Sequence, residues 1–246
     1  IRDALTAEAS WEFDHPTDRE GIEAVLAEAG VERYVALPYA HRPGVARDVN
    51  EWVLDRAAGS DRAVPFATVH AGDDDPAAVV ADALDAGARG LKFQLPVQGF
   101  PPDDPRLDPV YEVLAERSVP VLMHAGNAPM FREDPNVGIE PFRSFRERFP
   151  DVRVCVPHMG AYEVEAFVAA ARRDENVYLD TTFAMSSVAE QYGDFEPDAV
   201  PDAVFEDLSE SIMYGSDFPN IPYPYACERE HLLSRDLSED TVRDLF

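Results

Sequence analysis

"VPVLMHAG", residues 119–126, decides how the rest of the chain is read. It runs apolar, without polar alternation, from Val119 to Met123 and then stops at His-Ala-Gly. A strand that is apolar on both sides is covered on both sides, which is the condition of a parallel sheet packed against helices. Just upstream, Leu107, Val110, Tyr111 and Leu114 recur at helical spacing; downstream the pattern restarts with "VRVCVPH", residues 152–158.

The same alternation continues in both directions. Five further runs, "RYVALPY", "AVPFATV", "RGLKFQL", "NVYLDTT" and "SIMYGSD", are separated by helical patterns such as Ile22, Val25, Leu26, Ala29 and Val164, Phe167, Val168, Ala171. Acidic caps followed by proline ("DDDP", "DDP") open helices, and Gly30 and Gly87 close them. Strand and helix in strict alternation means parallel strands joined by helical crossovers. Seven strands are visible, and a helix at about residues 18–30 precedes them all. The expectation is an α/β fold, a (β/α)8 TIM barrel lacking its first strand in the chain shown, as a single domain over residues 1–246. "IRDALTAEAS" reads as a helix already under way and "TVRDLF" as the inside of a last helix, so the chain is expected to be cut at both ends. A doubly wound sheet would carry a glycine-rich phosphate loop after an early strand, and "LPYAHRPGV" is not one.

Charge excludes whole classes of partner. With 48 acids against 21 bases the formal charge is −27, which repels phosphate backbones and anionic membrane surfaces, so neither nucleic acid nor membrane is expected. The acids are spread through apolar-rich, periodic segments rather than gathered in a tail, and 20 of the 21 bases are Arg, Lys92 being the exception. That dispersed acidity is expected of a protein adapted to high salt. Cys155 and Cys227 form no CxxC pair, which fits a reduced, cytoplasmic protein.

In a barrel the chemistry sits at the C-terminal ends of the strands. Those ends carry His41, His70, Lys92 with Gln94, His124, His158, Asp180 and Asp217; only His15 and His231 among the six histidines fall elsewhere. Imidazoles and a carboxylate in one mouth suit a divalent metal ion, which activates water and polarises a carbonyl, and a neighbouring His or Asp can move protons. Taken singly, each has a plainer reading: Asp217 as a helix cap before Pro219, Lys92 snorkelling at the rim, Asp180 bonding nearby backbone.

"VPVLMHAG", "VPHMGAYEVEAF", "NVYLDTT" and "MYGSDFPN", in this order and spacing, resemble the amidohydrolase superfamily, most closely its amidohydrolase-2 branch of metal-dependent hydrolases and non-oxidative decarboxylases. The resemblance implies that His124 and Asp217 are metal ligands and that His158 and Asp217 are catalytic. It also implies an HxH pair on the first strand, and no HxH occurs in these 246 residues. One divalent ion is implied, zinc first, with manganese, cobalt or iron as alternatives. Lys92, His41, His70 and Asn220 are expected to contact substrate.

The leading functional expectation is a hydrolase of a small carbonyl compound such as an ester, amide or lactone. The alternative on the same site is a decarboxylase of a small carboxylic acid. A lyase working through Lys92 and a catalytically inactive binding barrel are the rivals from other classes. The loop of residues 181–204 is expected to be a lid or subunit contact, and a homodimer is allowed for.

Overall fold

The computed structural model describes residues 2–9, 11–128, 131–193 and 195–246. All seven expected strand runs form. They are β1 (Tyr34–Ala36), β2 (Ala63–Pro65) with β3 (Ala67–Thr68), β4 (Leu91–Phe93), β5 (Val121–Met123), β6 (Val154–Val156), β7 (Val177–Asp180) and β8 (Ile212–Met213). Every pairing is parallel and sequential, β1 on β2 and then β3 through β8 in chain order. That order is the one a barrel wall has. Among the described residues no strand joins β8 to β1, so the wall is an open arc.

The third barrel position is split in two for a local reason. Pro65 has no N–H to give the ladder, so β2 ends there and β3 begins after Phe66. The wall stays continuous because Phe66 N donates to Ala36 O (3.1 Å) and Ala67 N to Gly90 O (2.8 Å). Thr68, beyond reach of β1, is paired instead by the buried Asn50 amide, which accepts from Thr68 N (2.8 Å) and donates to Thr68 O (2.9 Å). A side chain from the helix Ala46–Ala58 thus satisfies backbone groups that the sheet leaves open.

The caps expected at "DDDP" and "DDP" are in place, and Asp18 adds another. Asp18 accepts from Gly21 N at the start of Arg19–Glu28, Asp75 accepts from Ala78 N before Pro76–Asp85, and Asp104 accepts from Arg106 N. The core lies between wall and helices, where Phe93, Tyr111, Phe142, Phe145 and Phe167 are fully buried and pack ring against ring. Removing one such ring costs about 3–5 kcal/mol. No helix of the described residues is long and apolar enough to cross a membrane.

Candidate active site

Three consecutive strand ends, β6 to β8, leave the sheet through backbone that side-chain-bearing residues rarely adopt. His158, Met159 and Ala161 have φ of 58°, 51° and 55°, Phe183 has 61° and Asp217 has 51°. Conformations of this kind cost of order 1–3 kcal/mol each and collect where a site over-determines them. Two glycines let the loops approach each other. A Cβ on Gly126 would sit 2.7 Å from the carbonyl of Gly160, and one on Gly215 would sit 2.1 Å from Thr182 Oγ1. The "HAG" and "YGSD" glycines therefore make room for the backbone and side chains of the neighbouring strand end.

Asp180, at the end of β7, organises this corner. Its Oδ1 accepts from His158 N (3.2 Å) and Thr182 N (3.0 Å), and it is buried. His158 Nδ1 lies 3.0 Å from the Thr182 carbonyl. A carbonyl only accepts, so Nδ1 carries the proton and Nε2 is the nitrogen that exchanges one. The His124 ring is 4.8 Å from that of His158. His124 Nδ1 pairs with the Gln94 amide (3.2 Å), while its buried Nε2 has no partner. Burial, then the neighbouring His158 and Lys92, hold the His124 pKa well below the usual imidazole value, so this ring is neutral.

Lys92 lies beside them, at 7% exposure. Burial lowers its pKa, against the opposing pull of Asp217, Asp180 and Cys155. Among the described residues its ammonium forms no hydrogen bond or ion pair. A desolvated cation without a partner is costly unless an anion joins it. Cys155 is buried next to Asp180, and burial followed by that carboxylate pushes its thiol pKa well up, which leaves it a protonated, inert filler.

The remaining expected residues are distributed differently. Asp217 is exposed at the end of β8, near enough to Lys92 to act on its pKa and without an ion-pair partner among the described residues. Asn220 Oδ1 accepts from Arg2 Nε (3.3 Å), and its N–H bonds Asp217 O (2.9 Å). His70 has both ring nitrogens engaged by backbone: Nε2 meets Gln98 O at 3.1 Å and Nδ1 accepts from Gly72 N at 2.9 Å. That leaves it no nitrogen for a substrate. His41 is exposed on the loop after β1.

Two residues gain importance that the sequence did not signal. His15 sits in an irregular segment, yet its Nε2 lies 2.7 Å from Tyr223 O and its ring packs on Phe218 beside Asp217. Glu228, in the helix Ala226–Leu233, is wholly buried behind the β7 loop. The loop expected as a lid is packed down in its first part, where Phe183 stacks on Trp11 and meets Tyr223 and Phe195.

This corner offers a divalent cation few donors. His124 Nε2 is buried and unpartnered, but Nδ1 accepts from the Gln94 amide N–H, so Nε2 carries the ring proton and would ligate only in the other tautomer. Among the described residues no three His, Cys, Asp or Glu side chains converge, and a stable cage needs three or four. The described donors do not complete a metal site.

Parallel α/β topology with His124, His158, Asp180 and Lys92 gathered at the strand ends is the arrangement of a barrel-type enzyme scaffold. The chain belongs to the amidohydrolase family, whose profile matches residues 9–246. Its fold is similar to that of an uncharacterized TIM-barrel protein from Bordetella bronchiseptica, at TM-score 0.80 and 21% identity over 100% of this chain and 86% of that one. It is similar also to 5-carboxyvanillate decarboxylase from Novosphingobium aromaticivorans with bound manganese (TM-score 0.68, 17% identity, 100% and 82% covered). A third likeness is to 2,6-dihydroxybenzoate decarboxylase from Rhizobium (TM-score 0.63, 16% identity, 92% and 85% covered). No curated protein matches the chain in sequence.

Proposed function

We propose that this protein is a non-oxidative decarboxylase of a small aromatic carboxylic acid. The observation that carries the proposal is Lys92, a buried lysine whose ammonium makes no hydrogen bond or ion pair among the described residues, Asp217 and Asp180 acting on it only from beyond ion-pair distance. A substrate carboxylate would supply that partner; a neutral ester, amide or lactone would not. The decarboxylation alternative is therefore preferred to the hydrolysis that heads the sequence expectations. The fold likeness to decarboxylases of hydroxylated benzoates supports the same choice.

Lys92 would hold the carboxylate, and the neutral His124 would offer it a second polar contact. The aromatic cluster of Trp11, Phe183 and Tyr223 would favour a flat ring nearby. His158, in its protonated form, would deliver the Nε2 proton to the ring carbon that bears the carboxylate. The bond to the carboxyl carbon then breaks, its electron pair restores the aromatic ring, and CO2 leaves. His158 ends neutral and regains a proton from solvent. Asp217, exposed at the rim, would assist that return or contact substrate.

A panel of hydroxylated benzoates, run beside aryl esters and lactones on manganese-supplemented protein, tests the assignment. Loss of carboxylate from at least one acid, dependent on Lys92 and His158, is the expected result. Turnover confined to esters or lactones would replace it with hydrolysis, and turnover of neither would favour a binding protein.

A further inference from the structure

Glu228 has no exposed surface. Its Oε2 accepts from Phe183 N (3.0 Å) and its Oε1 from the Tyr223 hydroxyl (2.7 Å), so both oxygens are committed. Nothing in the chemistry above uses this carboxyl. Yet the residue it grips follows the one residue that sets the state of His158. Phe183 stands at φ 61°, a conformation its own side chain disfavours, and it directly follows Thr182, whose carbonyl accepts from His158 Nδ1. On the other flank Thr182 N is fixed by Asp180. The Thr182 carbonyl is thus clamped between two acids, Asp180 before it and Glu228 after it.

We infer that Glu228 is a positioning residue for His158: by holding Phe183 N it aims the Thr182 carbonyl, which fixes the His158 proton on Nδ1 and keeps Nε2 available for exchange. The inference deepens the proposed function and rests on His158 being its proton carrier. Without the clamp the Thr182 carbonyl keeps only its turn contact from Ala184 N (2.6 Å) on that side, so Phe183 can relax toward an ordinary φ and the carbonyl drifts from the imidazole. His158 then populates the other tautomer, with its proton on Nε2, where a neutral ring no longer presents a base. The grip depends on acceptor geometry rather than on charge. Burial raises the Glu228 pKa well above the usual carboxylate range, and the two donors only partly oppose this.

The test is the tautomer of His158, read from 15N shifts of histidine-labelled protein at about pH 9, where an imidazole is neutral. The signal is assigned by its loss in His158→Gln. Wild type is expected to show the proton on Nδ1. Glu228→Gln, whose amide can accept from Phe183 N and donate to Tyr223, is expected to keep that signature and most of kcat. Glu228→Leu, of similar bulk with no acceptor, is expected to shift the population toward Nε2–H and to lower kcat roughly 10-fold or more with KM little changed. Glu228→Asp, one methylene short of Phe183, is expected to fall between and decides the matter should the leucine variant not fold. An Nε2–H wild type, or a folded Leu or Asp variant with the wild-type tautomer, would overturn the inference. The tautomer is measured without substrate, so finding no decarboxylation removes the functional reading while leaving this result standing. Conversely, active enzyme with an unmoved tautomer removes the inference alone.

Discussion

His158 Nδ1 and the carbonyl of Thr182 are 3.0 Å apart, and this single contact places the ring proton on Nδ1 and leaves Nε2 to accept. The imidazole comes from the end of β6 and the carbonyl from just beyond β7, so the adjacency of two parallel strands is what chooses the tautomer. Asp180 secures both partners by accepting from the backbone N–H of His158 and of Thr182.

Replacing the proton carrier tests that assignment. His158→Asn preserves a polar side chain but cannot exchange a proton from Nε2. It is expected to lower kcat by about 100-fold or more while leaving KM for the acid nearly unchanged, since general acid–base catalysis contributes roughly 10²–10⁴. Steady-state kinetics on any accepted acid reads this directly. A large rise in KM at constant kcat would make His158 a binding residue.

Lys92→Met should separate stability from function. The substitution removes a buried cation without a hydrogen bond and keeps the stem, so unfolding free energy is expected to rise by about 1–2 kcal/mol. For a chain of this length that is a gain of about 2–8 °C in Tm. Activity on carboxylates is expected to be lost. A destabilised Lys92→Met protein would mean that the ammonium already has a partner in solution.

His124 sets an acid limit on stability. Its folded pKa lies well below 6.5, first because of burial and then because of His158 and Lys92. Below about pH 6.5 the unfolded chain takes up a proton that the folded ring refuses. Stability is therefore lost as pH falls from 6.5 toward the folded pKa, at up to about 1.4 kcal/mol per pH unit. Denaturant melts of chelator-treated protein should show this slope, and His124→Gln should flatten it. Glu228 acts in the opposite sense. Its pKa is raised, so the folded state loses stability as pH climbs above about 4.5, and Glu228→Gln should remove that part.

The alternation of apolar strand runs with helical spacing made the architecture legible, because a buried parallel strand has no polar face to hide. Strand ends pointed to Lys92, His124, His158 and Asp180, which the structure brings together, since parallel strands in sequential order place their ends side by side. What the spacing did not carry was orientation. His70 ends a strand just as His124 does, yet Gln98 and Gly72 occupy its ring. Glu228 was missed for a different reason. One glutamate in "ACEREHLL" looks like the solvent face of a helix, and only the loop from β7 folding over it makes that face internal. The aromatic cluster of "NIPYPYA" just before it was the one available hint.

The dispersed charge of −27 predicts dependence on salt. The ion pairs of the described residues are mostly at the surface, where they add little, so screening of acid–acid repulsion should dominate. Tm is expected to climb as sodium chloride is raised from about 0.1 M to 1 M, over which the Debye length shortens from about 10 Å to 3 Å. A flat profile would show that the acids are spaced widely enough not to repel.

The most direct test of the central claim, that Lys92 seats a carboxylate for removal and His158 supplies the replacing proton, is 13C NMR in D2O with carboxyl-labelled hydroxybenzoates. The account predicts that label appears as CO2 and bicarbonate, that the vacated ring carbon carries deuterium, and that both signals vanish in Lys92→Met. Label retained in every acid, alongside hydrolysis of an ester or lactone that survives Lys92→Met, would contradict it.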